Sequence, residues 1–206
     1  MNWSIVIPVK RPEIAKSRLA EAVGELRPAL ARAFAADTVA AALASPAVEL
    51  VVAVTDDAVF GDEARLLGAV VIADAPDAGL NAALRHGAQE ARALRPELAV
   101  AALSADLPAL RPDELAAALA AAAEHPVSFV GDLAGLGTTL YGALPGESFS
   151  PRFGGRSRAA HRAAGAVELT LEGIPSVRRD VDTKVDLWDA LRLGVGPRTK
   201  AIAAEL

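Results

Sequence analysis

The stretch Leu98-Ala-Val-Ala-Ala-Leu-Ser104 is a continuous apolar run, which is typical of a strand buried on both faces of a parallel sheet. Two earlier stretches, Trp3–Val9 and Val48–Val54, are also predicted as strands. Helical periodicity or helix-ending residues predict helices at Glu25–Ser45, Asp57–Leu67, Ala78–Leu94 and Asp113–Ala123. One further strand is predicted at Ala69–Ala73. Strands that alternate with helices indicate βαβ units, so the sequence predicts an α/β fold.

The second half of the chain has a different pattern, with short apolar stretches between loops that contain Gly and Pro. The predicted elements are strands at Pro126–Gly131, Thr138–Ala143, Val167–Thr170 and Val177–Val181, and helices at Ser157–Ala164 and Val185–Leu193. This pattern predicts a mixed, partly antiparallel extension of the same sheet. Because no repeat, linker or change of composition divides the chain, residues 1–206 are predicted to form one domain.

Composition excludes several classes of protein. The 206 residues include 21 basic and 26 acidic side chains, for a formal net charge of −5, which argues against nucleic acid or an anionic membrane as a partner. The absence of cysteine excludes disulfides, thiolate zinc sites and a catalytic thiol, so a bound metal would need oxygen or imidazole ligands. No signal peptide or membrane span is recognisable, and we expect a soluble cytoplasmic protein.

Three aspartates are the candidates for metal-dependent chemistry. Asp106 follows the Leu98–Ser104 strand, and in α/β sheets ligands bind at the carboxyl ends of the strands. Asp180 and Asp182 are two residues apart, so in an extended segment both carboxylates would face the same side while Val181 points into the core. Oxygen ligands of this kind suit Mg²⁺. The alternative is that these aspartates cap the helices or turns that follow them.

A cationic loop follows the first predicted strand. Lys10, Arg11, Lys16 and Arg18 lie within nine residues of one another, and two of the four lysines of the chain are among them. Such a cluster could clamp a triphosphate, with Lys as a point charge and Arg as a bidentate donor, or it could be a solvated charged loop. Neither the Gly-Lys-Ser/Thr of a P-loop nor Gly-x-Gly-x-x-Gly follows this strand, which counts against a P-loop kinase and a nicotinamide dehydrogenase.

Two glycine-containing loops, Gly135–Thr139 and Phe153–Ser157, could bring backbone close to an anionic ligand or could be ordinary turns. Asn81 could contact a base or ribose, or could cap a helix. The histidines at 86, 125 and 161 lack metal-ligand spacing, and none is assigned a catalytic role.

The order and spacing of several short motifs resemble those of the 2-phospho-L-lactate or phosphoenolpyruvate guanylyltransferase family, which acts in the biosynthesis of the deazaflavin coenzyme F-420. The resemblance extends from Ile5 to about Gly196. The motifs are Pro8-Val-Lys10, Ala15-Lys-Ser-Arg-Leu19, Gly79-Leu-Asn81, Asp106-Leu-Pro108, Gly137-Thr138, Arg152-Phe-Gly-x-x-Ser157, Gly165-Ala-Val167 and Arg179-Asp-Val-Asp-Thr183.

The resemblance implies a single-domain nucleotidyltransferase, similar to glycosyltransferase A, built as a three-layer α/β sandwich with a mixed central sheet. It also implies that GTP and phosphoenolpyruvate or 2-phospho-L-lactate react to give a guanylyl diphosphate ester and pyrophosphate. The roles that it implies are Mg²⁺ binding and catalysis for Asp106, Asp180 and Asp182, catalysis for Lys16, acceptor binding for Thr138, Gly154 and Ser157, and nucleotide binding for Lys10, Lys16, Arg18, Asn81 and Ser104. A homodimer is compatible with the sequence, which does not fix the oligomeric state.

Two alternatives stay open at this stage. The protein could be another nucleotidyltransferase of the same fold, with a sugar phosphate or another acceptor, or a nucleotide-binding module without turnover. The excess of Arg and Ala suggests a GC-rich bacterial genome, which favours phosphoenolpyruvate as the acceptor.

Overall fold

One mixed sheet organises the computed structural model, which describes residues 1–10, 19, 23–75 and 77–206. Within these residues the strands are β1 (Trp3–Pro8), β2 (Val48–Val54), β3 (Val70–Ile72), β4 (Ala99–Leu103), β5 (Val127–Gly131), β6 (Thr138–Ala143) and β7 (Val167–Glu168). They lie in the order β3-β2-β1-β4-β6-β5-β7. The pairs β3–β2, β2–β1, β1–β4 and β5–β7 are parallel, whereas β6 is antiparallel to both β4 and β5. The predicted mixed α/β sheet is confirmed.

Helices cover both faces of this sheet. The α-helices in the described residues are α1 (Arg27–Leu43), α2 (Ala58–Leu67), α3 (Leu80–Leu94), α4 (Pro112–Ala122), α5 (Ser157–Ala163), α6 (Pro175–Arg178), α7 (Lys184–Leu193) and α8 (Pro197–Ala203), and a 3₁₀ turn at Gly24–Leu26 precedes α1. None of these helices has the length and apolar character that a membrane span requires.

The alternation of side chains along the central strands produces the three layers. Ile5 and Ile7 of β1 belong to the core cluster that contains side chains of α1, α2 and α4, while Val6 belongs to the cluster that contains side chains of α3. Every residue of β4 is buried, and this strand also contributes to both clusters. The sequence Ala-Val-Ala-Ala-Leu therefore suits a strand in the middle layer, because its small side chains allow helices to approach both faces.

The antiparallel direction of β6 brings its first residue to the functional edge of the sheet. Leu103, at the carboxyl end of β4, pairs with Leu140, and the Ser104 amide donates to the carbonyl oxygen of Thr139 over 2.8 Å. Thr138 is paired with Gly131, the last residue of β5. The amino end of β6 thus lies beside the carboxyl ends of β4 and β5.

The predicted strand at Val177–Val181 is wrong. Pro175 begins the short helix α6 instead, and the Ser176 amide donates to a carboxylate oxygen of Glu114 over 2.7 Å. The prediction also missed α8. After α6 the backbone crosses the end of β4, where the Val181 amide donates to the carbonyl oxygen of Asp106 over 3.0 Å. Val181 itself is buried, as the alternation predicts, in a third core cluster with Phe34 and Leu187.

Helix α3 packs close to the sheet because residue 87 is glycine. A Cβ atom built on Gly87 would lie 2.4 Å from Cγ1 of Val6 and 2.8 Å from Cγ2 of Val54, which are distances that a folded protein does not tolerate. This close contact fixes α3, and with it the helix start at Leu80, against β1 and β2.

We expect Gly87→Ala to lower the free energy of unfolding by about 1–3 kcal/mol through overpacking. Gly61→Ala is the matched control, since its Cβ would lie no closer than 3.4 Å to Val71 and alanine has the higher helix propensity. Urea denaturation of both variants measures the difference. Equal stability of the two would contradict close packing of α3 as the constraint.

Candidate active site

A cavity of about 730 Å³ opens at the carboxyl ends of β4 and β5. It collects most of the predicted site residues from four separate parts of the chain. Those that line it are Ser104, Asp106, Thr138, Gly154, Ser157, Asp180 and Asp182. The structure thus brings these seven residues together at one edge of the sheet.

Lys10 lies next to this cavity rather than in it. It lines two smaller cavities, of about 230 and 390 Å³, and the first of these shares Ser104, Asp106 and Asp182 with the main cavity. One continuous cleft thus runs from the end of β1 to Asp106 and Asp182. The other predicted cations, Lys16 and Arg18, lie outside the described residues.

The carboxyl groups of Asp106, Asp132, Asp180 and Asp182 interact with one another and form the acidic wall of the cavity. Burial, followed by the negative charges of the other three aspartates, raises the pKa of Asp180 to about 7. Because the group stays protonated well above the ordinary range of an aspartic acid, the wall stores repulsion that a bound cation would relieve.

Asp132 is a member of this wall that sequence reasoning missed. Its carboxylate accepts hydrogen bonds from the amides of Leu136 and Gly137, at 2.9 and 2.7 Å, and these bonds close the loop between β5 and β6. A Cβ atom on Gly137 would lie 2.5 Å from the carboxylate, so glycine is required for this close approach. Its position directly after a strand could have identified Asp132, because ligands bind at the carboxyl ends of strands and this rule identified Asp106.

At the α7 helix the cap that the sequence pattern allows at residues 182–183 is formed by Thr183. Thr183 is the N-cap residue, and Thr183 and Asp186 form a capping box in which each side chain accepts from the other's backbone amide. Asp182 directly precedes this N-cap residue. Helix α4 begins after Arg111, five residues beyond Asp106.

The part of the cavity lining at Phe153 and Gly154 rests on two side chains that hold the backbone of residues 152 and 153. Asn81 donates from Nδ2 to the carbonyl oxygen of Phe153 over 2.9 Å and accepts from the Phe153 amide at 2.8 Å. The Arg152 amide donates to Nε2 of His161 over 2.8 Å. These bonds fix the chain immediately before Gly154. A contact between Asn81 and the nucleotide stays a prediction.

His161 also contacts Thr138, whose Oγ1 lies 3.0 Å from Nδ1 of the imidazole. The ring is fully buried and stacks on Tyr141 with a centroid distance of 4.7 Å. Burial, together with the smaller effect of the positive charge of Arg152, lowers the pKa of His161 to about 4. The imidazole is therefore neutral near pH 7.

The donor chemistry of the acidic wall fits Mg²⁺, which prefers carboxylate oxygens. In the residues that the structure describes, no three His, Asp or Glu side chains lie close enough together to form a metal cluster on their own. Mg²⁺ is usually bound by one or two carboxylates with substrate phosphates completing its coordination, so the wall suits an ion that enters with a phosphorylated substrate.

The fold and this edge cavity define the class of protein. The structure superimposes on a protein from Desulfovibrio desulfuricans G20 that has a provisional name as a nucleotide-diphospho-sugar transferase, with a TM-score of 0.72 and 21% identity over 100% of this chain and 95% of the other. A nucleotidyl transferase from Methanothermobacter gives a TM-score of 0.58 and 19% identity over 93% of this chain and 98% of the other. The fold is that of the nucleotidyltransferases.

The family follows from closer relatives. The family model described as CofC-like guanylyl transferase matches residues 3–200. A phosphoenolpyruvate guanylyltransferase from Streptomyces coelicolor is 61% identical over 207 aligned residues, covering 100% of this chain and 98% of the relative. The chain belongs to the CofC-like guanylyl transferase family, which confirms the resemblance seen in the sequence.

The raised pKa of Asp180 leads to a test on the metal-free protein. The folded protein disfavours the ionised form of the Asp180 carboxyl group. The contribution of this group to folding stability is therefore complete at low pH and is lost as the pH rises through about 7. In EDTA we expect the melting temperature to increase by a few degrees between pH 8 and pH 6.5. Calorimetry of Asp180→Asn should show that this increase is absent, and an unchanged increase in the variant would contradict the assignment to Asp180.

Proposed function

We propose that this protein transfers GMP from GTP to phosphoenolpyruvate and releases pyrophosphate, as a step in the biosynthesis of the deazaflavin coenzyme F-420. The observation that carries the proposal is that the acidic wall lines one cavity of about 730 Å³ together with Thr138, Gly154 and Ser157. This volume is in the range of small-molecule sites. The family membership and the name of the Streptomyces coelicolor relative support this pair of substrates.

The proposed reaction is a single in-line displacement. A phosphate oxygen of phosphoenolpyruvate forms a bond to the α-phosphorus of GTP, and the bond from that phosphorus to the oxygen that bridges to the β-phosphorus breaks. Pyrophosphate leaves with the electron pair. Because the nucleophile is already an anion, the reaction requires no general base. Both substrates are polyanions that a cell retains inside its membrane, so we place the reaction in the cytoplasm.

The described residues divide into an acceptor side and a nucleotide side. We propose that Thr138, Gly154 and Ser157 bind the phosphate of the acceptor, since they share the wall held by Asn81 and His161. Lys10 lies on the nucleotide side, at the end of β1. We propose that Lys16 and Arg18, outside the described residues, bind the triphosphate with it.

Asp106, Asp180 and Asp182 are the proposed ligands of Mg²⁺. When bound, the ion would neutralise charge on the phosphate oxygens and so reduce the repulsion between two polyanionic substrates. Asp106 and Asp182 are suited to hold an ion that contacts both substrates, because they line both the main cavity and the adjoining cavity that contains Lys10.

The reaction itself can be tested by measuring pyrophosphate. We expect release from GTP to require both phosphoenolpyruvate and Mg²⁺, with little release when 2-phospho-L-lactate replaces phosphoenolpyruvate or when ATP, CTP or UTP replaces GTP. Mass spectrometry should detect the guanylyl diphosphate ester. Pyrophosphate release from GTP without any phosphorylated acceptor would overturn the proposed function.

The acidic wall can be tested by neutralising its members. We expect Asp106→Asn and Asp182→Asn to lower kcat by at least about 100-fold, the order found when a group that stabilises transition-state charge is removed. Neither change should lower the melting temperature of the metal-free protein, because each removes a negative charge that repels its neighbours.

The matched control is Asp62→Asn, a neutralisation of an exposed aspartate on α2 that pairs with Arg65 away from the cavity. It should retain full turnover. Intact metal-dependent GTP binding in Asp182→Asn would instead favour a nucleotide-binding module without catalysis, and loss of the thermal transition would assign the aspartates a structural role.

A further inference from the structure

His161 is a polar side chain at the edge of the site to which the proposed mechanism gives no role. It lies on α5 with no exposed surface, and its ring packs against the rings of Phe129, Tyr141 and Phe153 at centroid distances of 4.7–5.5 Å. Both of its nitrogens nevertheless have a hydrogen-bond partner. An imidazole held at both ends inside an aromatic cluster has a defined orientation and a defined tautomer.

The partners determine which nitrogen carries the proton. The Arg152 amide is a donor only, so Nε2 must accept and therefore carries a lone pair. A neutral imidazole has one protonated nitrogen, which is then Nδ1. The low pKa of His161 keeps the ring in this neutral form. Nδ1–H consequently faces Oγ1 of Thr138, 3.0 Å away, and can donate to it, and the Ser157 backbone also interacts with the ring.

This bond determines what Thr138 can do. Its hydroxyl oxygen accepts from His161, which leaves the hydroxyl proton to be donated to another acceptor. Thr138 lines the main cavity although the residue as a whole is only 5% exposed. A phosphate oxygen in the cavity is an acceptor of the correct kind, and a hydrogen bond to an ionised acceptor is stronger than one between neutral groups.

We propose that His161 is a positioning residue for the phosphorylated acceptor: through Nδ1–H it makes Thr138 a hydrogen-bond donor to the substrate phosphate, and through Nε2 it holds the backbone of residue 152. The inference rests on the proposed function in that it takes phosphoenolpyruvate as the ligand on this wall. It predicts that His161 affects binding of the acceptor and leaves binding of GTP unchanged.

Two substitutions separate the two contacts. In His161→Gln the side-chain amide reaches the position of Nε2 and can accept from the Arg152 amide, but the donor to Thr138 is lost. In His161→Asn the amide nitrogen occupies the position of Nδ1 and can still donate to Thr138, but the contact with residue 152 is lost. Thr138→Val removes the hydroxyl with little change of shape, and Thr138→Ser retains it.

We expect His161→Gln and Thr138→Val each to raise the KM for phosphoenolpyruvate by about ten- to a hundredfold, the range for loss of a hydrogen bond to a charged group. The KM for GTP should change by less than about twofold. The double variant should be no worse than Thr138→Val alone, because both changes remove the same interaction. His161→Asn and Thr138→Ser should retain most of the affinity for phosphoenolpyruvate.

Different outcomes overturn different statements. Equal increases in both KM values with a large fall in melting temperature, or additive effects in the double variant, would show that His161 is only a core residue. An increase for Thr138→Val but not for His161→Gln would overturn the role of His161 alone. Absence of phosphoenolpyruvate-dependent turnover in the wild-type protein would overturn the proposed function instead. Calorimetric titration of the same variants with phosphoenolpyruvate would then still test the role of His161.

The tautomer can be observed directly. Long-range ¹H–¹⁵N spectra of the wild-type protein should show protonated Nδ1 and unprotonated Nε2 for His161 near pH 7. A proton on Nε2 would contradict the bond from Arg152 and overturn the inference without any kinetic measurement.

Discussion

One backbone hydrogen bond connects the two acidic segments, which are 74 residues apart in sequence. The Val181 amide donates to the carbonyl oxygen of Asp106 over 3.0 Å, so the segment that contains Asp180 and Asp182 lies across the end of β4. The buried side chain of Val181 fixes the same segment from below, through the cluster with Phe34 and Leu187. Without these contacts the repulsion among the carboxylates would separate the segments. The apolar contacts of the core therefore stabilise an electrostatically unfavourable group of charges.

The part of the cavity lining at Phe153 and Gly154 is stabilised in a different way, through neutral polar contacts. Asn81 and His161 come from two helices, α3 and α5, and between them they bond the backbone of residues 152 and 153 at three atoms. Because α3 is fixed by the close approach of Gly87 to β1 and β2, the position of this part of the lining depends on the packing of the sheet.

Much of this arrangement could be predicted from the sequence, because the periodicity of strands and helices predicts the first four strands and the helices between them. It also places Asp106 just after the carboxyl end of a strand, where an α/β sheet binds ligands. Two features could not be predicted. The Val177–Val181 segment is apolar enough for a strand, but Pro175 begins a helix there and only tertiary packing decides between them. The pairing of His161 with Thr138 spans 23 residues, and no local pattern encodes it. Asp132 differs from these two, because its position directly after β5 is a signal that the sequence contains.

His161 is not placed to act as a general base. It is the histidine that contacts a residue lining the main cavity in the described structure, and both of its nitrogens are already hydrogen bonded. Its neutral, buried ring is unsuited to take a proton from a substrate. A phosphate anion that attacks the α-phosphorus of GTP needs no such proton acceptor, so the structural use of His161 is compatible with this chemistry.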